Sequence, residues 1–368
     1  MAEEEMKLEL RGVHKSFDGA AAVKGLDLAL RKGEFLSLLG PSGCGKSTTL
    51  AMITGFLAPD SGEILVDGRV VNRIAPRKRR IGLVFQDYAV FSRLTVRANL
   101  VFGLESQGVA RKERNLAVAE ISEKLELRDI LGARGGELNM SEMQRVALGR
   151  VLVTKPQLLL LDEPMSNLDA ALRASLRSEL KQIQKELEQT VLYVTHDQVE
   201  ALSMSDRIAV MRDGALLQVG TPEDIYNRPV GRFVAQFIGD PPINIVPCRV
   251  EEAQGKLVVG TALHSGLGFA GRDVPIGDYL LAVRPHHLRA SRAPREGTAE
   301  CEIRMVENFG AEHVLHVTYG EDLVAVVTEP GFAREGERLH LSLDMDQAHL
   351  IDPLDERVVA RRRREAAA

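Results

Sequence analysis

The sequence predicts an α/β domain followed by a smaller all-β domain, and three observations carry this prediction. Short apolar segments that predict strands alternate with turns and amphipathic helices up to about residue 237. After Gly239-Asp240-Pro241-Pro242 the pattern changes to short alternating segments split by glycine-rich turns, which is typical of a small β-barrel. The 368 residues are 45% hydrophobic, which suffices for two or three domains with full cores.

The strand segments of the first domain are short and apolar, and they are predicted at residues 8–10, 26–29, 35–39, 62–66, 81–85, 158–161, 191–194 and 208–211. Apolar residues at helical spacing predict amphipathic helices over 111–127 and 171–188. The strands of the second domain are predicted at residues 256–259, 279–283, 301–306, 313–317, 323–327 and 339–343. The sequence has no internal repeat of about 20–50 residues, which excludes solenoids and propellers.

Charge and composition exclude several classes of protein. The formal net charge is -5 and no long basic face is present, so we do not expect a nucleic-acid partner. The basic runs 77–80 and 361–364 are expected to be a solvated loop and tail. No apolar run reaches the roughly 18 residues of a membrane helix, and the acidic start lacks the features of a secretion signal, so we expect the chain in the cytosol. Three widely separated cysteines, Cys44, Cys248 and Cys301, indicate neither a disulfide framework nor a zinc cluster.

The strongest chemical signal is a complete G-x-x-x-x-G-K-S loop between the predicted strand 35–39 and a helix that opens at 49–53. In such a loop, backbone N–H groups and the positive end of the helix surround phosphate groups. Lys46 is suited to reach the phosphate oxygens, and the Ser47 hydroxyl is suited to ligate Mg²⁺. The loop therefore predicts a nucleoside triphosphate site formed by Gly40, Pro41, Ser42, Gly43, Cys44, Gly45, Lys46, Ser47 and Thr48.

Two carboxylates follow a second apolar strand. The strand 158–161 ends at Asp162-Glu163-Pro164, at the carboxyl edge where ligands bind in open α/β sheets. Asp162 is suited to orient Mg²⁺ and its water, and Glu163 to polarise a water molecule for attack on the γ-phosphate. Alone, this pattern is more typical of an ordinary strand exit. Beside the phosphate loop it predicts hydrolysis rather than binding only.

Taken in order, these residues resemble the ATP-binding subunits of ABC transporters across about residues 6–237. The resemblance implies that 40–48 is the Walker A loop, which binds ATP, and that Asp162 and Glu163 are the Walker B pair, with Glu163 as catalytic base. Gln86 and His196 are weak signals singly, but their order and spacing make the combination specific. The remaining implied residues are Gln86 as the Q-loop glutamine that senses Mg²⁺ and the transmembrane partner, residues 166–169 with Asp169 as the D-loop, His196 as the switch histidine and Phe17 as the ring that stacks on adenine.

The resemblance also implies a domain plan. An ABC-type P-loop NTPase domain is expected over 1–239, with a helical subdomain at about 88–155. An OB-like regulatory domain of the TOBE type is expected over 240–356, followed by a basic tail over 357–368 that we expect to be disordered.

The signature region departs from the family pattern Leu-Ser-Gly-Gly-Gln, because residues 138–142 read Leu-Asn-Met-Ser-Glu. The ungapped frame puts Asn139 at the serine, Met140 and Ser141 at the glycines and Glu142 at the glutamine. A second frame recovers Ser141 and Gln144 but deletes two helical residues, which turns the rest of the helix by about 200°. We prefer the ungapped frame, although Asn139 with Glu142 and Ser141 with Gln144 both have the spacing of a helix cap.

In this family the signature of one subunit closes over the ATP of the other, so the resemblance implies a second ATPase subunit. An anionic Glu142 and a bulky Met140 would weaken that contact. The hypothesis is that the chain either accepts a looser signature in a homodimer or works beside a non-identical ATPase.

Four C-terminal segments, 218–226, 233–239, 283–288 and 306–310, resemble the importer subfamily that energises uptake of sugars, polyols and glycerol phosphates. This implies transmembrane permease subunits as partners, a solute-binding protein indirectly, and a peripheral location on the cytoplasmic face of the inner membrane. The signature variant resembles ATPases linked to glycerol or polyol uptake. Alternatives are a hydrolysis-poor partner ATPase, an importer of polyamines or inorganic ions, and a soluble ABC protein of translation or DNA repair, which would need tandem cores or a coiled-coil insertion.

Overall fold

The computed structural model describes residues 5–166, 168–268, 274–295 and 297–361. The chain divides into two compact units between Pro222 and Glu223. The sequence places the domain boundary later, at residue 239, and the difference has a physical cause within the second unit. There the buried Arg284 guanidinium donates hydrogen bonds to the carbonyls of Tyr226 (2.9 Å), Ala235 (3.0 Å) and Ile238, which joins residues 223–239 to the β domain.

The first unit alternates strands and helices as the sequence predicts. Its strands are β1 (Met6–Phe17), β2 (Ala20–Arg31), β3 (Phe35–Leu39), β4 (Ser61–Val66), β5 (Arg69–Val70), β6 (Ile81–Val84), β7 (Leu158–Asp162), β8 (Val191–Thr195), β9 (Arg207–Arg212) and β10 (Ala215–Gly220). Its helices are α1 (Lys46–Thr54), α2 (Val96–Ser106), α3 (Arg111–Lys124), α4 (Met140–Leu152), α5 (Ala170–Glu186) and α6 (Gln198–Met204). Helices α2, α3 and α4 lie in the stretch expected to form the helical subdomain.

A six-stranded sheet in the order β10-β9-β3-β8-β7-β6 runs through the middle of this unit. Strands β9, β3, β8, β7 and β6 are parallel, and β10 pairs with β9 in the antiparallel sense. Every residue of β3 and β8 is buried, as expected for parallel strands covered on both faces. Because parallel strands end at one edge, the residues that follow β3, β6, β7 and β8 are brought to the same edge of the sheet.

Alternate residues of the central strands face two different cores. Phe35, Leu161 and Tyr193 pack with apolar residues of the helices α2 to α5. Leu36 and Leu192 pack on the other side with α1 and with the antiparallel sheet β2-β1-β4-β5. The sheet is therefore fixed from both sides, and the loops at its carboxyl edge start from rigid strand ends.

The second unit is mainly antiparallel β structure, which confirms the predicted all-β domain. Two short helices, α7 (Pro222–Asn227) and α8 (Arg232–Phe237), come first in the chain. The strands are β11 (Asn244–Ala253), β12 (Lys256–Thr261), β13 (Leu267–Gly268), β14 (Gly277–Val283), β15 (Leu288–Ser291), β16 (Ala299–Asn308), β17 (His313–Tyr319), β18 (Asp322–Thr328), β19 (Arg338–Leu343), β20 (His349–Ile351) and β21 (Val358–Arg361). They form the sheets β13-β12-β11-β14-β20-β21 and β15-β19-β16-β17-β18, which share one apolar core.

The end of the chain corrects one expectation. The sequence predicts a disordered tail from residue 357, but β21 pairs with β20 through Leu350 opposite Ala360 and Ile351 opposite Val358. The apolar run 358–360 favours a strand, since the uninterrupted basic run begins only at Arg361. Residues 362–368 lie outside the described residues. No helix in the described part of the chain has the length and hydropathy needed to span a membrane.

Candidate active site

The phosphate loop links β3 to α1 and depends on glycine. Gly45 is the N-cap of α1, with φ at 103°, and a Cβ atom there would lie 2.4 Å from the carbonyl oxygen of Ala22. A Cβ atom on Gly40 would lie 2.3 Å from the carbonyl oxygen of Met211. Because Gly45 has no side chain and the first turn of α1 carries no acidic residue, the N–H groups at this helix end are left for an anion.

Lys46, the first residue of α1, is only 4% exposed. Its Nζ donates to the carbonyl oxygens of Gly40 at 2.8 Å and Pro41 at 2.9 Å, so the ammonium is held against the loop. Cys44 is buried beside it, with Sγ 3.9 Å from Nζ, and burial raises the pKa of the thiol. The thiol is therefore a packed, protonated part of the loop. Along the rest of the loop Ser42, Gly43 and Ser47 are exposed, and Thr48 is half-buried.

Ser47 and Asp162 come together as the sequence predicts. The Ser47 hydroxyl lies 3.4 Å from Oδ1 of Asp162, the last residue of β7. Burial raises the pKa of the Asp162 carboxyl, and the neighbouring charge of Glu163 raises it further. The raised pKa shows that the surroundings of the Asp162 carboxylate only partly neutralise its charge. A hydroxyl beside such a carboxylate fits Mg²⁺, which takes one or two protein oxygens and completes its shell with phosphates and water.

Glu163 and His196 form a direct pair. Glu163 follows β7 with a left-handed φ of 46°, and its N–H donates to the carbonyl of Val194 at 2.9 Å. His196 follows β8, and its Nδ1 lies 2.9 Å from Oε2 of Glu163. The His196 side chain is 51% exposed and that of Glu163 is 19% exposed, so the pair is open to water. This arrangement can accept a proton from a water molecule while the imidazole holds the carboxylate.

Gln86 is linked to the same turn through Ser166. Its Nε2 donates to Ser166 Oγ at 3.2 Å, and Ser166 Oγ donates to the carbonyl of Glu163 at 3.0 Å. The sequence places Ser166 in the D-loop without predicting this bridging contact. A serine three residues after Glu163 is a local signal for such a side-chain to backbone bond. Asn167 of the D-loop lies outside the described residues.

Two other predicted residues occupy exposed positions. Asp169 is the N-cap of α5, where Oδ1 accepts a hydrogen bond from the Leu172 N–H at 2.9 Å. Phe17, at the end of β1, is 47% exposed, and the Nζ of Lys15 lies 5.6 Å from the ring centroid. Their roles toward a second subunit and toward adenine remain predictions.

The signature helix starts where the ungapped frame expects. Helix α4 begins at Met140 with Asn139 as its N-cap. The Glu142 N–H donates to Asn139 Oδ1 at 3.0 Å, and the Asn139 N–H donates to Glu142 Oε2 at 2.9 Å. Ser141 and Gln144 are therefore inside the helix, with Gln144 only 1% exposed. The alternative helix start at Ser141 is wrong.

Arg173 and Asp197 form a contact between the D-loop and the segment that carries His196, and the sequence does not predict it. The Arg173 guanidinium donates to Asp197 at 3.2 Å and to the carbonyl of Leu168 at 3.0 Å. The only sequence signal is a basic residue four positions after the N-cap Asp169, which leaves its distant partner unidentified.

Comparison with known proteins decides the family. The ABC transporter family profile matches residues 23–166, and the TOBE domain profile matches 281–351. The sulfoquinovosyl glycerol transport ATP-binding protein SmoE of Agrobacterium fabrum is 39% identical over 96% of this chain and 99% of its own length. The chain belongs to the ABC transporter family. As an ATP-binding subunit of this family it is an ATPase, and subunits of this kind act with membrane permeases.

Other relatives and solved structures agree with this family. The sn-glycerol-3-phosphate import ATP-binding protein UgpC of Cereibacter sphaeroides is 41% identical over 94% of this chain and 97% of its own length. The trehalose/maltose import ATP-binding protein MalK of Thermococcus litoralis is 40% identical over the same shares. The structure of cbiO1 from Clostridium perfringens, part of the ABC transporter complex cbiONQ, has a TM-score of 0.57 and 30% identity over 60% of this chain and 91% of its own. The ABC ATPase fold and the TOBE region predicted from the sequence are confirmed.

Proposed function

We propose that this chain hydrolyses ATP with Mg²⁺ at the edge formed by the phosphate loop, Asp162, Glu163 and His196, and that it thereby powers import of a sugar, polyol, glycerol or glycerol phosphate. One observation carries the catalytic part of the proposal. The sheet edge brings Lys46 to the loop carbonyls, Ser47 to within 3.4 Å of Asp162, and Glu163 to within 2.9 Å of His196. These are the groups required to bind a triphosphate, hold a cation and activate water.

Each group has a distinct role in the proposed reaction. Lys46 and the N–H groups of α1 bind the β- and γ-phosphates. Ser47, Asp162 and Gln86 would hold the cation, which would neutralise charge on the phosphate oxygens. Glu163 accepts a proton from the attacking water, and His196 orients the Glu163 carboxylate. Ser166 fixes the backbone at Glu163 by donating to its carbonyl, and Gln86 holds Ser166 by donating to its hydroxyl.

The partner residues follow from the same proposal. Asn139 and Ser141 at the start of α4, together with Asp169, face the ATP of a second ATPase subunit, and Phe17 stacks on the adenine of this chain's own ATP. The assembly binds a transmembrane permease from the cytoplasmic face of the membrane and receives solute from a separate binding protein. Closure of the ATPase pair on two ATP molecules drives the permease, because ATP binds the closed pair more tightly.

The solute class is supported by what the relatives are named for. Those proteins are named as the ATP-binding proteins for transport or import of sulfoquinovosyl glycerol, sn-glycerol 3-phosphate, and trehalose or maltose. These molecules share many hydroxyl groups on a glycerol or sugar skeleton. We infer a solute of that kind for the transporter that this chain serves.

A reconstituted transporter tests the proposal. The chain is combined in proteoliposomes with its permease and binding protein, and uptake of radiolabelled sn-glycerol 3-phosphate, glycerol and maltose is measured. We expect ATP-dependent uptake of at least one of them and its loss in the Glu163→Gln variant. Uptake of putrescine or phosphate alone would overturn the solute class. Uptake that requires a different ATPase besides this chain would decide for the heterodimer, and uptake with this chain as the sole ATPase would decide for the homodimer.

A further inference from the structure

We propose that Arg173 is a positioning residue that couples the D-loop, whose described residues are Ser166, Leu168 and Asp169, to the segment that carries His196. The inference rests on the function proposed for the Glu163–His196 pair. It adds a residue that acts through the two segments that it joins.

The contacts of Arg173 reach two separate segments. Its Nε donates to the carbonyl oxygen of Leu168 at 3.0 Å, and its Nη1 donates to Asp197 Oδ2 at 3.2 Å. Leu168 is 5% exposed, and the side chains of Arg173 and Asp197 are 33% and 22% exposed, so this bridge is partly shielded from solvent. A planar guanidinium with donors on different nitrogens can hold two acceptors at once, which a lysine ammonium does less well.

The Asp197 end of the bridge is rigid. While Oδ2 binds Arg173, Oδ1 accepts the N–H groups of Val199 at 2.8 Å and Glu200 at 3.1 Å, and so caps α6. The Asp197 N–H also donates to Thr195 Oγ1 at 2.9 Å. His196 therefore lies between two residues that are themselves hydrogen-bonded, and its backbone position depends on where Asp197 is held.

Glu200, in the first turn of α6, fixes the same segment through contacts with β8. It is 2% exposed, and its Oε2 accepts hydrogen bonds from Tyr193 and Thr195, both at 2.7 Å. The first turn of α6 is thus tied to β8. These buried contacts join Asp197, the first turn of α6 and the end of β8 into one unit. A displacement of the D-loop that is passed on by Arg173 therefore acts on the whole unit, which includes His196.

The other end of the bridge, at Leu168, lies next in the chain to the exposed Asp169, which is proposed to face a second subunit. Asp169, next in the chain, caps α5, and α5 carries Arg173 one turn later, so Leu168, Asp169 and Arg173 form one short closed unit. A second subunit that contacts Asp169 acts on this unit. The consequence is that the His196 geometry responds to the state of the D-loop.

Steady-state hydrolysis by the full-length protein tests the inference. In Arg173→Met we expect kcat to fall about tenfold with KM for ATP within about twofold, because the loss is of orientation and not of ATP binding. Arg177→Met is the matched control, since Arg177 lies one turn further along α5, outside this bridge, and we expect its kcat to stay within about twofold of the wild type. Arg173→Lys should recover part of the loss.

A second variant tests the connection itself and guards against misfolding. Asp197→Asn keeps an oxygen that can cap α6 but removes the charge that Arg173 binds. We expect the single variant Asp197→Asn to lower kcat. We expect the double variant, Arg173→Met with Asp197→Asn, to be no slower than Arg173→Met. Multiplying losses would overturn the inference, as would equal losses in Arg173→Met and Arg177→Met.

The proposed function and this inference fail in different ways. Wild-type kcat in Arg173→Met together with an inactive Glu163→Gln overturns only the role of Arg173. Wild-type kcat in Glu163→Gln overturns the assignment of the catalytic pair itself.

Discussion

Two helix N-termini in the ATPase unit are built in opposite ways. Helix α1 starts at Gly45, which has no side chain, and its first turn carries Lys46 and no acidic residue. Helix α4 starts at Asn139, whose side chain accepts from the Glu142 N–H, while the Glu142 carboxylate accepts from the Asn139 N–H. The first leaves its donors for a ligand, whereas the second uses donors at its own start.

The difference shows how one fold separates binding from stability. Three features of α1 lower the stability of the site without ligand and favour binding of an anion with its cation. They are the uncapped helix end, the buried charge of Lys46 and the raised pKa of Asp162. At α4 the capping box stabilises the helix without a ligand. The altered signature of this chain is therefore a stable helix start, and in the proposed ATPase pair its carboxylate would have to be accommodated by a partner's ATP.

The largest effect is expected at α1. Lys46→Ala removes the cation held over the loop, and we expect affinity for a fluorescent ATP analogue to fall by about 100-fold or more. Lys112→Ala, at an exposed position of α3, is the control and should bind the ATP analogue as the wild type does. ATP affinity within a few-fold of the wild type in Lys46→Ala would show that α1 is not the phosphate site.

Asn139→Ala tests the capped helix. Loss of the side-chain acceptor is expected to lower the free energy of unfolding by about 1 kcal/mol. Chemical denaturation of the ATPase transition measures it, with Ser141→Ala as the control that should change stability by less than about 0.5 kcal/mol. If Ser141→Ala destabilised more than Asn139→Ala, the helix start would lie at Ser141.

Glu142→Gln separates capping from charge at the same position. Glutamine can keep the capping box but removes the negative charge that is proposed to face a partner's triphosphate. We expect ATP-dependent self-association to become about threefold tighter. Analytical ultracentrifugation measures the association, and Glu113→Gln, in the first turn of α3, is the charge-matched control. Weaker association would show that the carboxylate contributes to the closed pair.

Asp162→Asn tests how much the ionised Asp162 carboxylate lowers the stability of the ligand-free protein. The folded pKa of Asp162 is raised above its unfolded value, so the ionised carboxylate destabilises the empty protein at neutral pH, and this cost disappears as pH falls through the raised pKa. Without nucleotide we expect Asp162→Asn to melt about 2 °C higher near neutral pH, with the difference shrinking toward about pH 4. Thermal denaturation across pH measures it. A difference that grows at low pH would contradict the sign.

The parts of the candidate site whose placement could be predicted from the sequence are those encoded locally. The Gly40–Ser47 pattern, the strand before Asp162 and the strand before His196 are each readable within a few residues, and parallel strands then bring them to one edge. The local sequence does not settle the helix start at Asn139 because two cap patterns overlap. The hydrogen bonds between Asn139 and Glu142 and the burial of Gln144 inside the helix decide between them.

The parts that were missed depend on contacts between distant residues. Arg173 and Asp197 are 24 positions apart, and Arg284 lies 58 positions beyond the Tyr226 carbonyl that it binds, so no local pattern reveals either contact. The strand at 358–361 was missed because the basic run beyond it dominated the composition of the C-terminal segment.

The central claim is that ATP bound at α1 is hydrolysed through Glu163. The most direct measurement is ATP binding, hydrolysis and self-association of purified Glu163→Gln with Mg²⁺. The account predicts wild-type ATP affinity, at least about 100-fold slower hydrolysis and accumulation of a closed dimer that the wild type populates only briefly. Hydrolysis at the wild-type rate would contradict it.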